Sequence, residues 1–262
     1  NNGSISDAAG NATILTLAAT GSATSLGGQK GFVIDTSPAT IASISSSASD
    51  ATYKIGDVIP ISITFSEVVT VTGSPQLTLE TGETDAVVNY TSGSGSTTLL
   101  FNYTVSSGQA SNDLDYAGTD ALSLNGGTIL DASGNASVLT LASPGATNSL
   151  GANKALIIDG IVPSVSSVAS STSNGIYKIG ETVAITVTFS EAVTVNGSPQ
   201  LTLETGSSDV VVNYTSGSGS STLIFNYTII EGHQSADLAY SGTDALALNG
   251  GSILDVAGNN AS

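Results

Sequence analysis

The side chains able to do chemistry in this chain are almost all carboxylates. Asp and Glu number 21, against four Lys plus Arg and one His, for a formal net charge of −17. Eight acidic positions recur at an offset of 124 residues: Asp35 and Asp159, Asp57 and Glu181, Glu67 and Glu191, Glu80 and Glu204, Asp85 and Asp209, Asp113 and Asp237, Asp120 and Asp244, Asp131 and Asp255. Carboxylates, together with amide and backbone oxygens, are hard ligands that suit Ca2+ and not soft metals. With no cysteine in the chain, thiolate metal sites and disulfides are both excluded. One of the acids lies in a motif that occurs three times, as "NNGSISDAAGN" at 1–11, "NGGTILDASGN" at 125–135 and "NGGSILDVAGN" at 249–259. Glycines beside Asp7, Asp131 and Asp255 let each loop bend so that carbonyl oxygens can join a ligand shell.

Other chemistries fit these residues less well. There is no EF-hand loop, Asp113-Leu114-Asp115 being the nearest approach, and no GGxGxD array. Without a cation, Asp131 and Asn135 would instead cap turns through side-chain to backbone hydrogen bonds. The single histidine, His233, has Gln109 as its positional counterpart, so the repeated unit does not depend on it. No nucleophile–base constellation exists, and no enzymatic activity is expected. "GSGS" lacks the Lys-Ser/Thr and following helix of a phosphate loop. The acidic surplus would be repelled by nucleic acid and anionic membrane surfaces, and no apolar stretch reaches membrane-spanning length.

The elements that must position the acids read as β almost throughout. In "VIPISITF" (58–65), Ile59, Ile61, Ile63 and Phe65 alternate with small polar residues, and "VAITVTF" (183–189) repeats the pattern. Such alternation marks strands with one buried face. "QLTLE" (76–80), "AVVNYTS" (86–92) and "TLLFNYTV" (98–105) read likewise, the last with Leu99, Phe101, Tyr103 and Val105 inward, and "SGSG" (93–96) closes a hairpin. Helix signals are weak because Thr, Ser, Val and Gly dominate. Two facing antiparallel sheets bury these faces best, so the expected fold is all-β: tandem immunoglobulin-like β-sandwich repeats of 124 residues, of Greek-key type.

Asp and Pro in "IDTSPATIASI" (34–44) and "IDGIVPSVSSV" (158–168) mark the domain boundaries. Residues 36–159 then form one complete repeat, 1–35 the C-terminal part of a preceding repeat, and 160–262 a repeat lacking its last strands. The missing part corresponds to 137–159. The strand at 58–65, running back toward the linker, carries Glu67 just past its end to where Asp35 enters. Asp7 and Asn11 of the preceding repeat are expected to join them. By the same logic Asp131, Asn135, Asp159 and Glu191 are expected at the second junction, each junction holding Ca2+.

The succession "YKIGD", "ITFSE", "VTVTGSPQLTLETG", "YTSGSGS", "LFNYTV", "LNGGTILDASGN" and "SLGANKALIID" resembles the tandem immunoglobulin-like repeats of giant bacterial surface and adhesion proteins, and it covers the chain twice. The resemblance implies an exported, extracellular, multi-repeat stalk or filament at a cell surface, with calcium-stabilised junctions. Its partners would be neighbouring repeats of the same or an identical chain, and the family does not supply a host ligand. The expected role is therefore a structural spacer rigidified by Ca2+. The alternative is an adhesion module binding carbohydrate or protein through the repeat surface. Recurring tyrosines such as Tyr53, Tyr90, Tyr103 and Tyr116 favour packing over sugar stacking. The four lysines, Lys30, Lys54, Lys154 and Lys178, occupy two recurring positions suited to salt bridges or edge-strand protection. Finally, residues 1–35 carry an orphan last strand, "GFVID", that 160–262 lack. In a longer chain the neighbouring repeat would supply each missing half covalently, the simpler expectation for a giant repeat array; the alternative is strand donation between copies, which would join such halves head to tail.

Overall fold

In the computed structural model, which describes residues 3–262, the alternating segments are strands of antiparallel, curled sheets. The first two residues of the opening "NNGSISDAAGN" motif lie outside the described residues. The chain forms two compact units, Asn1–Ser37 and Pro38–Ser262. In the N-terminal unit, a bridge between Ser6 and Ala12 closes the Asp7–Asn11 loop. A single helical turn, α1 (Leu26–Gln29), follows, capped by the Ser25 hydroxyl.

The second unit begins with β1 (Ile41–Ser46), β2 (Ala51–Lys54), β3 (Val58–Thr72), β4 (Gln76–Leu79), β5 (Ala86–Ser92), β6 (Ser96–Thr104), β7 (Ala110–Ser111), β8 (Leu122–Ser123) and β9 (Thr128–Asp131). The turn α2 (Leu150–Asn153) and β10 (Leu156–Asp159) follow. A seven-stranded sheet has the order β1-β3-β6-β5-β4-β8, with β9 also on β3. A smaller sheet, β2-β10-β7, faces it, and there β10 runs parallel to β2 and antiparallel to β7. After the linker come β11 (Val165–Ser170), β12 (Thr182–Asn196), β13 (Gln200–Glu204), β14 (Val210–Ser216), β15 (Ser220–Thr228), β16 (Ala239–Tyr240), β17 (Leu246–Ala247) and β18 (Ser252–Leu254). Their sheet has the order β11-β12-β15-β14-β13-β16, with β17 on β13 and β18 on β12.

Period-two patterning sets the cores. Ile59, Ile61 and Ile63 of β3 are fully buried, as are Leu99 and Phe101 of β6, and Tyr103 and Val105 are nearly so. Each such side chain contributes about 1.5–3 kcal/mol relative to exposure. Gly93 and Gly95 hold positive φ values of 111° and 83° in the β5–β6 turn, which a hairpin of this length requires.

One boundary differs from the sequence reading. The strand expected to end at Phe65 continues to Thr72, so Glu67 lies within β3 and not past it. The reason is a change of partner. β3 pairs with β6 up to Thr64, shifts register before Val69, and there takes up β9, with Val69 opposite Asp131.

Candidate metal centre

Three carboxylates converge where the two sandwiches of the second unit meet. β10 ends at Asp159, and a short linker leads into β11, whose approach is tied to β12 by the Ser190 N–H donating to the Ser164 carbonyl at 2.8 Å. Glu191 is the next residue, in the stretch between Thr188 and Val193 where β12 shifts register against β15. β18 then pairs with the far half of β12, Thr194 opposite Leu254, so Asp255 emerges beside Glu191. One carboxylate oxygen from each of Asp159, Glu191 and Asp255 lies within 4.8 Å of those of the other two.

The carboxylates are held differently. Asp255 is 3% exposed, and its Oδ1 accepts the N–H groups of Gly258 (2.6 Å) and Asn259 (2.8 Å). Its Oδ2 accepts from the Asn259 side-chain amide at 2.8 Å. Asp159 Oδ1 accepts the Ile161 N–H at 3.2 Å. Among the described residues, no hydrogen-bond donor reaches the Glu191 carboxylate and no lysine lies within ion-pair distance of the three; the one ion pair is Lys154 with Asp50, at 3.0 Å. Burial, then Asp255 and Asp159 beside it, push the Glu191 carboxyl above its ordinary range. Repulsion between like charges is the expected result when no cation stands among them.

Asn259 connects this cluster to both sandwiches. Its Oδ1 accepts the Ile55 N–H at 2.9 Å, and its amide donates to the Asp159 carbonyl at 2.9 Å. The Lys54 stem packs against Gly258, whose φ of +95° lets the loop turn beneath it. Gly160 is pinned on the opposite side: its N–H donates to the Gln109 carbonyl at 2.7 Å, and its carbonyl accepts the Gly108 N–H at 2.8 Å.

The sequence-derived residues fall into a different grouping from the one expected. Asp131 and Asn135 do not join Glu191 and Asp159. Asp131 lies within 4.8 Å of Glu67, and Asp255 and Asn259 take the expected place at the junction. Antiparallel pairing is the cause, since β9 folds onto β3 and β18 onto β12, each within its own sandwich. Both Asp255 and Asn259 were visible as the 124-residue counterparts of Asp131 and Asn135; the strand pairing that groups them was not.

The loop geometry itself recurs. Asp131 Oδ1 accepts the N–H groups of Ser133 (2.9 Å) and Asn135 (2.8 Å), and Oδ2 accepts the Asn135 amide at 2.8 Å. Burial works to raise the Asp131 pKa, but the hydrogen bonds from Asn135, Ser133 and Gly134 outweigh it and hold the carboxyl below its usual value. In the N-terminal unit, Asp7 accepts from Ala9 and Asn11 in the same way, and the Asn11 amide is the main cause of its lowered pKa. Asp35 accepts the Ser37 N–H at 3.0 Å. The Asp-x-x-Gly-Asn loop is thus a turn cap in all three copies, and at Asp255 a carboxylate cap that also faces two further carboxylates.

The donor set at the junction is chemically suited to Ca2+: all oxygen, three formal negative charges, and backbone already bent around the Asp255 loop. Compared with known protein families and with curated proteins, the chain has no match in either. Among the described residues, no helix is long and apolar enough to cross a membrane.

Proposed function

We propose that the chain is a spacer from an exported surface or adhesion protein, built as tandem immunoglobulin-like repeats of 124 residues whose junctions are stiffened by Ca2+. One observation carries the reading: Glu191, with no donor and no cation among the described residues, is held against Asp159 and Asp255 where Asn259 clamps two sandwiches together. A divalent cation bound by the three would replace repulsion with attraction at the junction between sandwiches. Asp159 and the clamped Ile55 come from one sandwich, and Glu191, Asp255 and Asn259 from the next. Asp35, Glu67 and Asp131 are their counterparts by sequence offset.

The recurring tyrosines support a spacer over a sugar-binding surface. Tyr103, Tyr116 and Tyr227 are buried, and Tyr90 and Tyr214 pack edge-on against Phe101 and Phe225 at 6.1 Å. Small-angle X-ray scattering of the whole chain in Ca2+ and in chelator tests the proposal. Calcium should narrow the distribution of maximum dimensions, and Glu191→Gln with Asp255→Asn should abolish the difference. Identical profiles in both buffers would remove the stiffening role.

A further inference from the structure

Within the 38–160 sandwich, the opening and closing segments lie side by side and run in the same direction. β2 and β10 pair in parallel from Ala51 opposite Leu156 to Lys54 opposite Asp159, whereas the other named strand pairs of this sandwich are antiparallel. The contact extends well before this ladder. The Val138 N–H donates to the Ala39 carbonyl at 2.8 Å, beside a parallel bridge between Thr40 and Val138. Farther along, the Ile44 N–H donates to the Asn148 carbonyl at 2.9 Å, and the Asn153 amide donates to the Ile44 carbonyl at 2.7 Å. Just ahead of the ladder, Asp50 Oδ1 takes both the Lys154 ammonium at 3.0 Å and the Ala155 N–H at 3.2 Å.

The two segments begin and finish at opposite ends of the sandwich. Thr40 exchanges hydrogen bonds with Ser66, its N–H donating to Ser66 Oγ at 3.0 Å and its carbonyl accepting the Ser66 N–H at 2.8 Å. β2 and β10 instead finish at the junction, where Asn259 links the Ile55 N–H to the Asp159 carbonyl. Tension along the chain enters at Pro38 and leaves at Gly160. It therefore pulls the opening segment toward the Ser66 end and the closing segment toward the junction. Parallel neighbours pulled in this way slide along their own axes, and every rung is strained at once. Hydrogen bonds hold only over about 2.7–3.2 Å between heavy atoms, so all of them must fail together. Pulled apart from one end, the same ladder opens one rung at a time.

We propose that the parallel pairing of 39–54 with 138–159 is a tension-bearing clamp, through which the sandwich transmits pulling force without unfolding. Asp50 is its pin, fixing the start of β2 to the residues that lead into β10. Leu141, Leu150, Leu156 and Ile158 of the closing segment are buried, so sliding also drags four large side chains out of close-packed sites. This goes beyond the spacer reading, which asks for length and stiffness but not for strength. It also needs no cation, because the loaded contacts lie within one sandwich.

The chain contains no cysteine, so introduced pairs define where it is pulled. Optical tweezers grip the whole chain through DNA handles, in chelator so that the result is independent of calcium. Ser37→Cys with Ile161→Cys loads the clamp in shear. Val58→Cys with Ile161→Cys unzips the same ladder from its Asp159 end, since Val58 opposes Thr104 and Gly160 abuts Ser106. All three positions are exposed, so neither pair disturbs a core. Forced unfolding is governed by the barrier along the direction pulled, and at one loading rate the shear force should be about twofold or more the unzipping force. Asp50→Ala should lower the shear force and leave the unzipping force unchanged, because the rungs nearest Asp159 open first in that geometry. Its urea midpoint should stay close to that of the parent chain, an exposed ion pair adding little at equilibrium. Equal forces along the two directions overturn the proposal. So does an Asp50→Ala loss that is the same in both.

Discussion

Replacing Asn259 with Ala removes three hydrogen bonds at once from a residue that is 4% exposed: Ile55 N–H to Oδ1, and Nδ2 to the Asp159 carbonyl and to Asp255 Oδ2. A buried hydrogen bond contributes about 1 kcal/mol net, and rather more where a carboxylate accepts it. The loss should therefore be about 3 kcal/mol, reduced to the extent that water reaches the part-buried Ile55 and Asp159 groups. For a chain of this size that corresponds to roughly 6–12 °C in Tm. Urea unfolding followed by tyrosine fluorescence, in chelator, measures it. Because Asn259 is the side-chain clamp between sandwiches, the single transition should also split into two. Gln200→Ala serves as the comparison: its amide donates to Asn213 Oδ1 at 2.9 Å on an exposed strand face, and exposed substitutions of this kind stay within about 0.5 kcal/mol. An Asn259→Ala effect no larger than that of Gln200→Ala, with one transition retained, would refute the clamp.

Three further outcomes follow from the same geometry. A side chain at Gly160 would place its Cβ 2.3 Å from the Ser106 carbonyl oxygen, a backbone atom that cannot rotate away. Gly160→Val should therefore cost about 1–3 kcal/mol by overpacking, measured by the same urea titration. Burial raises the Tyr103 and Tyr116 hydroxyls to about 12, Asp115 adding to the effect at Tyr116. A folded-state pKa above the unfolded one contributes stability below about pH 10 that is lost as pH rises toward 12. Alkaline unfolding should therefore coincide with the last phenolate absorbance step, and Tyr103→Phe should weaken that pH dependence. The raised Glu191 carboxyl acts with the same sign in chelator: its contribution is present below the unfolded carboxylate range and lost as pH rises through its folded value. Stability in chelator should thus fall as pH rises through that value, and Glu191→Gln should flatten the slope, as read from Tm against pH.

The strands were legible because alternation in segments such as 58–65 and 98–105 is dictated by one buried face, and Leu99, Phe101, Tyr103 and Val105 point inward as that pattern requires. The offset of 124 residues picked out the acids in the same way, since it needs no structural knowledge to see that Asp131 and Asp255 occupy one motif. What the pattern could not convey was which strand each motif folds against. Strand pairing is a long-range choice, and β9 lies far from β3 in the chain although Val69 faces Asp131 in space. For that reason Asp131 and Asn135 are expected beside Asp159 and Glu191, whereas β9 carries Asp131 onto β3 beside Glu67. The continuation of β3 through Glu67 escaped for a related reason: the shift of register before Val69 hides the strand behind an interruption of its alternation. The Asn259 bridge to Ile55 and Asp159 has no sequence signal beyond the asparagine's recurrence, because its partners belong to a different sandwich.

Whether Asp159, Glu191 and Asp255 hold Ca2+ across the junction is read from thermal unfolding of the whole chain in calcium, in magnesium and in chelator. Extracellular calcium sites bind at roughly 10⁻⁴–10⁻³ M, and at a hundredfold excess over Kd one site stabilises by about 2.7 kcal/mol. Calcium, and not magnesium, should raise Tm by about 5–10 °C, an effect largely lost in Glu191→Gln and in Asp255→Asn. A Tm that is the same in calcium and in chelator would contradict it, leaving the three carboxylates as surface charge and turn caps on a metal-free spacer.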